Sequence, residues 1–166
     1  MTKTVRAYSN IALIKYWGKK DEAYRIPYTS SVSMTLDAFY TETQVIYEKD
    51  LKEDVFYLDG EKVEGNALRR VQTFMNYVRS CYPEINDYAM IRSKNHVPTA
   101  AGLASSASAF AALAKASTLE LNLDDKSLSR LARMGSGSAS RSIYGDFVKW
   151  ERGDSDETSY ACQVDM

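Results

Sequence analysis

Small side chains fill residues 98–108, which read PTAAGLASSAS and lead directly into the apolar run AFAALAKASTLEL. This composition suits phosphate binding, because the free N–H groups at a helix start attract anions and small residues let an anion reach the backbone. Ser105, Ser106 and Ser108 supply hydroxyls for phosphate oxygens or a magnesium ion. The stretch lacks the Gly-Lys-Ser/Thr of the common P-loop. In the alternative, structural interpretation, the serines cap the helix and the alanines allow close packing.

A second stretch of the same character is GSGSASR, residues 135–141. Its N–H groups and serine hydroxyls suit an anion, and Arg141 adds a permanent cation that binds phosphate or carboxylate in a bidentate manner. The alternative is a flexible turn after a helix with Arg141 in solvent. Two stretches of this kind in one short chain favour an anion site.

A lysine interrupts the apolar part of NIALIKYWGKK, residues 10–20. Lys15 lies between Ile14 and Tyr16 in a predicted strand, and burial of an ammonium group without a partner is costly. The pattern therefore predicts an anionic partner for Lys15. The alternative is that Lys15 reaches solvent at the strand end, with Lys19 and Lys20 as ordinary solvated charges.

These stretches must be positioned by strands that come first in the chain and helices that come later, which is typical of an α+β fold. The first third is predicted to form a β-meander, with a hairpin turn at Asp59 and Gly60. An amphipathic helix is predicted from Asn66 to just before Pro83. The predicted strands are 4–17, 32–36, 40–47, 55–58, 62–64, 88–93 and 143–150, and the other predicted helices are 104–121 and 125–134.

Composition narrows the class of protein. The chain has 166 residues, which indicates one domain, and its formal net charge of -1 disfavours nucleic acid as a partner. The sequence contains no apolar run long enough for a membrane span and no signal-peptide pattern near residue 1, so we expect a cytoplasmic protein without a membrane partner. Cys81 and Cys162 fit a reducing compartment. The single histidine, His96, receives no role.

The segments NIALIKYWGKK, PTAAGLASSAS and GSGSASRSIYG together resemble the mevalonate diphosphate decarboxylase family of the GHMP kinase superfamily. Weaker similarity at IPYTSSVSMTL, FYTET and DETSYA extends the resemblance over nearly the whole chain. The Lys-Tyr-Trp-Gly-Lys sequence indicates this family, because kinases of the superfamily carry a Gly-Glu-His type motif there. The resemblance implies a GHMP-kinase-type amino-terminal lobe, with a largely antiparallel sheet and helices packed on one side.

The same resemblance implies an activity in isoprenoid biosynthesis. ATP, with Mg²⁺, would phosphorylate the tertiary hydroxyl of mevalonate 5-diphosphate, after which phosphate and carbon dioxide leave to give isopentenyl diphosphate. Such a site must hold many negative charges, which suits fixed cations and hydrogen-bond donors. Whether the protein forms a homodimer is left open.

Site residues follow from the matching motif positions. Lys15 and Arg141 resemble the catalytic cations, and Ser106 resembles the serine that meets magnesium. The implied substrate-binding residues are Tyr16, Lys19, Ser136, Ser138 and Arg141. The implied ATP-binding residues are Asn95, Pro98, Ala101, Gly102, Leu103, Ala104, Ser105, Ser106 and Ser108.

Two departures from the family pattern stand out. Gly145 is followed by Asp146, where the family usually has Gly-Gly-Phe. The family's catalytic aspartate belongs to a second half of the enzyme, so we expect residues 1–166 to be an amino-terminal domain without its carboxy-terminal partner, and inactive by itself.

Two other functions remain as alternatives. A mevalonate or phosphomevalonate kinase of the same superfamily would keep the ATP loop, although the segment from Lys15 to Lys19 argues against it. A non-catalytic nucleotide-binding module would keep the anion site without turnover.

Overall fold

The computed structural model describes residues 3–14, 19–21, 23–27, 30–96 and 105–164. Its helices are α1 (Asn66–Cys81), α2 (Ser105–Ser117) and α3 (Asp125–Gly135), with 3₁₀ helices at Leu119–Leu121 and Gly137–Ile143. Its strands are β1 (Val5–Ile14), β2 (Lys19–Asp21), β3 (Ile26–Pro27), β4 (Ser31–Glu48), β5 (Val55–Leu58), β6 (Glu61–Lys62), β7 (Tyr88–His96), β8 (Phe147–Trp150) and β9 (Ala161–Gln163).

One sheet with the order β6-β5-β7-β4-β8-β9 forms the frame of the described residues, and β1 also pairs with β4. All of its pairings are antiparallel except β5 with β7, and β2 and β3 form a separate small hairpin. The prediction of an α+β fold with a largely antiparallel sheet is therefore confirmed. Strands that follow one another along the chain are neighbours in the sheet only in part, because β5 does not lie beside β4.

The predicted β-meander is wrong because β7 lies between β4 and β5. Asp54, just before β5, accepts a hydrogen bond from the amide of Ala89 in β7 at 2.9 Å, and its carboxylate also pairs with Arg79 of α1. Asp54 is 2% exposed, so these bonds replace the hydrogen bonds that its carboxylate would make with water. They direct β5 alongside β7 instead of back along β4.

The predicted hairpin turn is confirmed. Asp59 and Gly60 join β5 to β6 with φ angles of 51° and 85°. Two successive residues with positive φ are typical of the turn that matches strand twist in two-residue hairpins.

Strand β4 contains an irregularity where the sequence predicted a gap between two strands. Tyr8 of β1 pairs with Tyr40, whereas the next residue, Ser9, pairs with Leu36. Residues 37–39 therefore form a bulge without partners in β1, and β4 continues on both sides of it. We call these three residues the β4 bulge.

The helices pack on one side of the sheet and bury the core. Helix α1 ends before Pro83 as predicted, but α2 ends at Ser117 and is shorter than predicted. The hydroxyls of Ser117 and Thr118 donate to the carbonyl of Ala114 at 3.2 and 2.7 Å and so compete with the backbone at this end of the helix. The predicted strand at 143–150 begins only at Phe147. The core includes Val71, Phe74, Met75 and Val78 of α1, Ala89 and Ile91 of β7, Phe110, Ala111 and Ala114 of α2, and Leu131 and Ala132 of α3.

No helix in the described ranges combines the length and apolar character that a bilayer crossing requires.

Gly135 allows α3 to approach α2 closely. A Cβ on Gly135 would stand 2.2 Å from Cδ1 and 2.5 Å from Cγ of the Phe110 ring. We expect Gly135→Ala to lower the free energy of unfolding by about 1–3 kcal/mol, although alanine normally favours a helix. Urea unfolding of the chain measures the change.

Gly145→Ala is the matched control, because open space surrounds Gly145 within 4 Å. We expect it to change the free energy of unfolding by less than about 0.5 kcal/mol. Equal effects of the two substitutions would contradict the close approach of the two helices.

Candidate functional site

The structure brings the two serine-rich stretches together. Ser106 Oγ, in the first turn of α2, lies 3.3 Å from Ser136 Oγ, which follows α3. Ser136 Oγ also lies 3.3 Å from Ser138 Oγ. We call these three side chains the serine cluster. Its members come from segments 30 residues apart, so their meeting is a property of the fold and not of one flexible loop.

Arg141 is connected to the segment of the serine cluster through Asn10 and is buried, with 3% of its surface exposed. Its Nε donates to Asn10 Oδ1 at 3.2 Å and its Nη1 donates to Ser31 Oγ at 2.6 Å. The alternative in which Arg141 extends into solvent is therefore wrong. A buried, always-protonated guanidinium gives the site a fixed positive charge in surroundings that screen it weakly.

Asn10 connects this guanidinium to the cluster. Its Nδ2 donates to the carbonyl of Ser138 at 3.2 Å and to Ser142 Oγ at 2.6 Å, while its Oδ1 accepts from Arg141. The amide thus uses both of its ends, and the network assigns which end is oxygen. Asn10 is 5% exposed and fixes the guanidinium relative to the serine cluster.

Ser108 lies apart from the serine cluster, fully buried toward the sheet. Its Oγ is 2.7 Å from Thr41 Oγ1 and accepts from Ser9 Oγ at 3.4 Å. Thr41 donates its only proton to Asn95 Oδ1 at 2.8 Å, so Ser108 must be the donor to Thr41. The resulting chain runs from Ser9 through Ser108 and Thr41 to Asn95, and it leaves the NH₂ group of Asn95 to other partners.

A cavity of about 220 Å³ opens between Asn95 and Ser106. Most of its lining residues are apolar. The lining residues include Phe56, Leu58, Ile91, Phe110 and Leu113, and the polar ones are Arg70, Ser93, Asn95 and Ser106. Such a cavity suits a flat apolar ring with a few hydrogen-bonding atoms at its edge.

Arg133 positions the β2–β3 hairpin at the end of α3. The guanidinium is buried and its Nε donates to the carbonyl of Tyr24 at 2.8 Å. Burial lowers the pKa of Arg133, and its ion pair with Asp156 offsets that effect. Arg133 therefore holds the hairpin and the segment around Asp156 against the same helix end.

Some predicted site residues lie outside the described residues, namely Lys15, Tyr16, Pro98, Ala101, Gly102, Leu103 and Ala104. The backbone of Lys19 begins β2 and that of Ser105 begins α2, but their side chains also lie outside the description. Their predicted roles remain predictions.

Asp146, the departure from the family pattern, lies on the surface. It is exposed and has a φ of 62°, and its carbonyl accepts from the amide of Thr35 at 2.9 Å. Aspartate tolerates this left-handed conformation better than most residues, which explains how it replaces glycine there.

Sequence reasoning missed Asn10, Ser31 and Thr41. Each is buried in a strand, and each hydrogen-bonds a predicted site residue. The available signal was Asn10, a polar residue in the apolar pattern of NIALI, because a buried amide requires partners. Their actual partners are distant in the sequence and required the structure.

The side chain of His96 contacts two residues of β4. Its Nε2 lies 2.9 Å from Glu42 Oε1, and its ring stacks on Tyr40 with centroids 4.4 Å apart. The part of the chain that the structure describes holds no group of three or more His, Cys, Asp or Glu side chains arranged for a metal ion.

A family model described as the diphosphomevalonate decarboxylase-like N-terminal domain matches residues 7–161. The chain belongs to this family. Among curated diphosphomevalonate decarboxylases, that of Debaryomyces hansenii is 40% identical over 92% of this chain and 43% of its own length. That of Bos taurus is 39% identical over 97% of this chain and 44% of its own length. The chain thus spans less than half the length of these two decarboxylases.

Solved structures of diphosphomevalonate decarboxylases share the fold. The Staphylococcus aureus mevalonate diphosphate decarboxylase has a TM-score of 0.93 and 58% identity, with coverage of 99% of this chain and 51% of that chain. The Enterococcus faecalis enzyme, described with mevalonate diphosphate mediated ATP binding, has a TM-score of 0.93 and 53% identity over 99% of this chain and 52% of its own. A complex of MDDEF with MVAPP, AMPPCP and magnesium matches equally well, with 51% of its chain covered. The resemblance inferred from the sequence motifs is confirmed.

The bridging role of Asn10 predicts a large loss of stability. We expect Asn10→Ala to lower the free energy of unfolding by about 2–4 kcal/mol, because it leaves several buried polar groups without a partner. Asn86→Ala is the control, since Asn86 is exposed in the loop before β7 and should change the value by less than about 0.5 kcal/mol. If urea unfolding gives similar small changes for both variants, Asn10 does not organise the site.

Proposed function

We propose that this chain is the nucleotide- and phosphate-binding part of a mevalonate diphosphate decarboxylase. The reaction uses ATP to convert mevalonate 5-diphosphate into isopentenyl diphosphate, phosphate and carbon dioxide. The observation that carries the proposal is the 3.3 Å distance between Ser106 Oγ and Ser136 Oγ, which joins two distant serine-rich segments. Hydroxyl donors that converge from two sides suit ligands with several phosphate groups.

The cavity beside Ser106 supports nucleotide binding. Its apolar walls suit the faces of a purine ring, and Asn95 and Ser93 supply hydrogen-bonding groups for the edge of such a ring. Because Ser106 lines the cavity and also belongs to the serine cluster, a nucleotide with its base in the cavity would direct its phosphates toward the cluster.

The residues present fit magnesium as it is bound in phosphate sites. Ser106 Oγ would hold the ion together with phosphate oxygens of the ligands, because Mg²⁺ prefers oxygen ligands and often takes only one or two from the protein. Bound there, the ion supplies charge neutralisation for the phosphate oxygens. Ser136 and Ser138 would donate hydrogen bonds to the oxygens that the ion leaves uncovered.

Arg141 would hold the anionic groups of the substrate. Departure of phosphate from a tertiary carbon creates carbocation character, so the surrounding side chains must attract anions without attacking the cation. A guanidinium does both, because it is always protonated and has no free electron pair for attack. Asn10 and Ser31 keep it in one orientation, which reduces the reorganisation that the reaction requires.

Lys15, Tyr16 and Lys19 complete the proposal as the catalytic lysine and two substrate-binding groups. The catalytic aspartate that the family resemblance implies would lie beyond residue 166. We therefore propose that residues 1–166 form the amino-terminal domain, which binds the ligands but requires the remaining domain for turnover.

Release of gas tests the reaction. The protein expressed from the complete reading frame, supplied with ATP, Mg²⁺ and mevalonate 5-diphosphate carrying a labelled carboxylate, should form ADP, phosphate and labelled carbon dioxide in equal amounts. Formation of ADP with a stable phosphorylated product and no gas would reject the decarboxylase and support the kinase alternative.

Arg141→Gln in the same protein should lower kcat by at least about 100-fold, which corresponds to about 2.7 kcal/mol of transition-state stabilisation. Arg92→Gln, at an exposed arginine of β7, is the control and should retain kcat. Circular dichroism and thermal unfolding verify that both variants fold. Unchanged kinetics in a folded Arg141→Gln variant would refute the assignment.

A further inference from the structure

Lys115 is the only charged residue of α2, whose sequence is SSASAFAALAKAS. It lies in the last turn of the helix and lines a cavity of about 240 Å³. Most of the cavity lining is apolar and comes from the start of β1, the segment after α2 and the first turns of α3. We call this cavity the lysine pocket. Its other lining residues are Val5, Thr118, Leu119, Asn122, Leu123 and Leu128.

The amine of Lys115 has no close partner in the described part of the chain, where it forms neither a hydrogen bond nor an ion pair. The hydroxyl of Thr118, which shares the pocket, donates its proton to the carbonyl of Ala114 at 2.7 Å. Other partly buried cations are paired, since Arg79 and Arg130 each contact a carboxylate. An ammonium group that is partly removed from water without a partner is costly.

The charge state of Lys115 follows from two opposing effects. Burial lowers the pKa of Lys115, and the carboxylate of Asp125, at the start of α3, offsets only part of this effect. The unprotonated amine is the nucleophilic form of lysine. At neutral pH, Lys115 therefore holds more of this form than an exposed lysine does.

We propose that Lys115 is an acylation site whose donor is a small acyl thioester. The amine nitrogen attacks the carbonyl carbon of the thioester, the carbon–sulfur bond breaks, and the amine proton leaves with the thiol. The product is a neutral amide, so the cost of burying a charge disappears and the acyl chain contacts the apolar side chains of the pocket. A phosphoryl or carbon dioxide adduct would carry negative charge, which the apolar lining disfavours.

The lysine pocket is separate from the serine cluster. Lys115 follows Ser106 by nine residues, which is two and a half helical turns and about 14 Å along the axis, so the two side chains leave α2 on opposite sides. Leu119 is 39% exposed and Asn122 is exposed, so a small donor reaches the pocket from solvent. Acylation at Lys115 therefore does not rest on the decarboxylase reaction.

The rate of acetylation at each lysine tests the proposal. The protein from the complete reading frame is incubated at pH 7 with S-acetyl-N-acetylcysteamine, a small uncharged thioester, and peptide mass spectrometry follows each lysine. We expect Lys115 to react at least about fivefold faster than Lys62, which is exposed in β6, because lysines with the ordinary pKa of about 10.4 are almost fully protonated at pH 7.

Two further conditions separate the pocket from other causes. The ratio of the Lys115 rate to the Lys62 rate should fall as the pH rises to about 10, because exposed lysines then also lose their protons. In urea, which unfolds the protein, the ratio should fall to about one, since the preference is a property of the fold. Equal rates in the folded protein at pH 7, or a preference for Lys115 that persists in urea, would overturn the proposal.

Thermal unfolding gives an independent measurement. Lys115→Met keeps a long, unbranched side chain but removes the charge, as acylation does, so we expect the Tm to rise by at least about 2 °C. Lys62→Met is the matched control and should change the Tm by less than about 1 °C. A lower Tm for Lys115→Met would mean that the ammonium group stabilises the pocket, which would contradict an acylation site there.

Discussion

The hydrogen bonds of Asn10 join parts of the chain that no local structure would bring together. One end of its amide accepts from Arg141, and the other end donates to the backbone and the hydroxyl of two residues that flank it. The partners lie 128 to 132 residues away, so the contacts form only when β1 and the 3₁₀ helix Gly137–Ile143 are both in place. A buried guanidinium is costly without such partners, and its correct placement therefore depends on the completed sheet.

The remaining polar interior is organised by hydroxyl groups. Ser9, Ser108, Thr41 and Asn95 form a chain in which each hydroxyl donates once, so the direction of every bond is fixed by the last acceptor. Such a network tolerates little rearrangement, because a reversed hydroxyl would leave a buried donor without a partner. Asn95, which lines the apolar cavity, is therefore connected to β1 and α2 by bonds with defined directions.

Much of the fold could be predicted from local sequence patterns. The hairpin at Asp59 and Gly60 and the amphipathic α1 follow from turn chemistry and helical periodicity, which act over a few residues. The position of β5 beside β7 could not be predicted in this way, because it depends on the long-range contacts of Asp54. The end of α2 at Ser117 likewise could not be predicted, because the hydroxyls of Ser117 and Thr118 compete with the backbone for the carbonyl of Ala114.

For the candidate site, the sequence indicated which stretches contain anion-binding groups but not the separate role of each residue in them. Two serines of the first stretch differ in environment, since Ser106 meets the second stretch while Ser108 lies against the sheet. Gly135 resembled part of an anion-binding loop, yet its close contact with Phe110 gives it a packing role. The family resemblance supplied the broader identity, because anion-binding groups alone do not distinguish a decarboxylase from a kinase, whereas the Lys-Tyr-Trp-Gly-Lys motif is known only by comparison.

The β4 bulge also sets the distance between Ser31 and Thr41. Ten residues of regular strand span about 33 Å, which would separate Ser31 from Thr41 by more than the width of a small ligand. The bulge lets Leu36 and Tyr40 face consecutive residues of β1 and so shortens the path from Ser31, which contacts Arg141, to Thr41, which contacts Asn95. An insertion or deletion within residues 37–39 would thus change the spacing between the Arg141 guanidinium and the apolar cavity while every recognisable motif stayed intact.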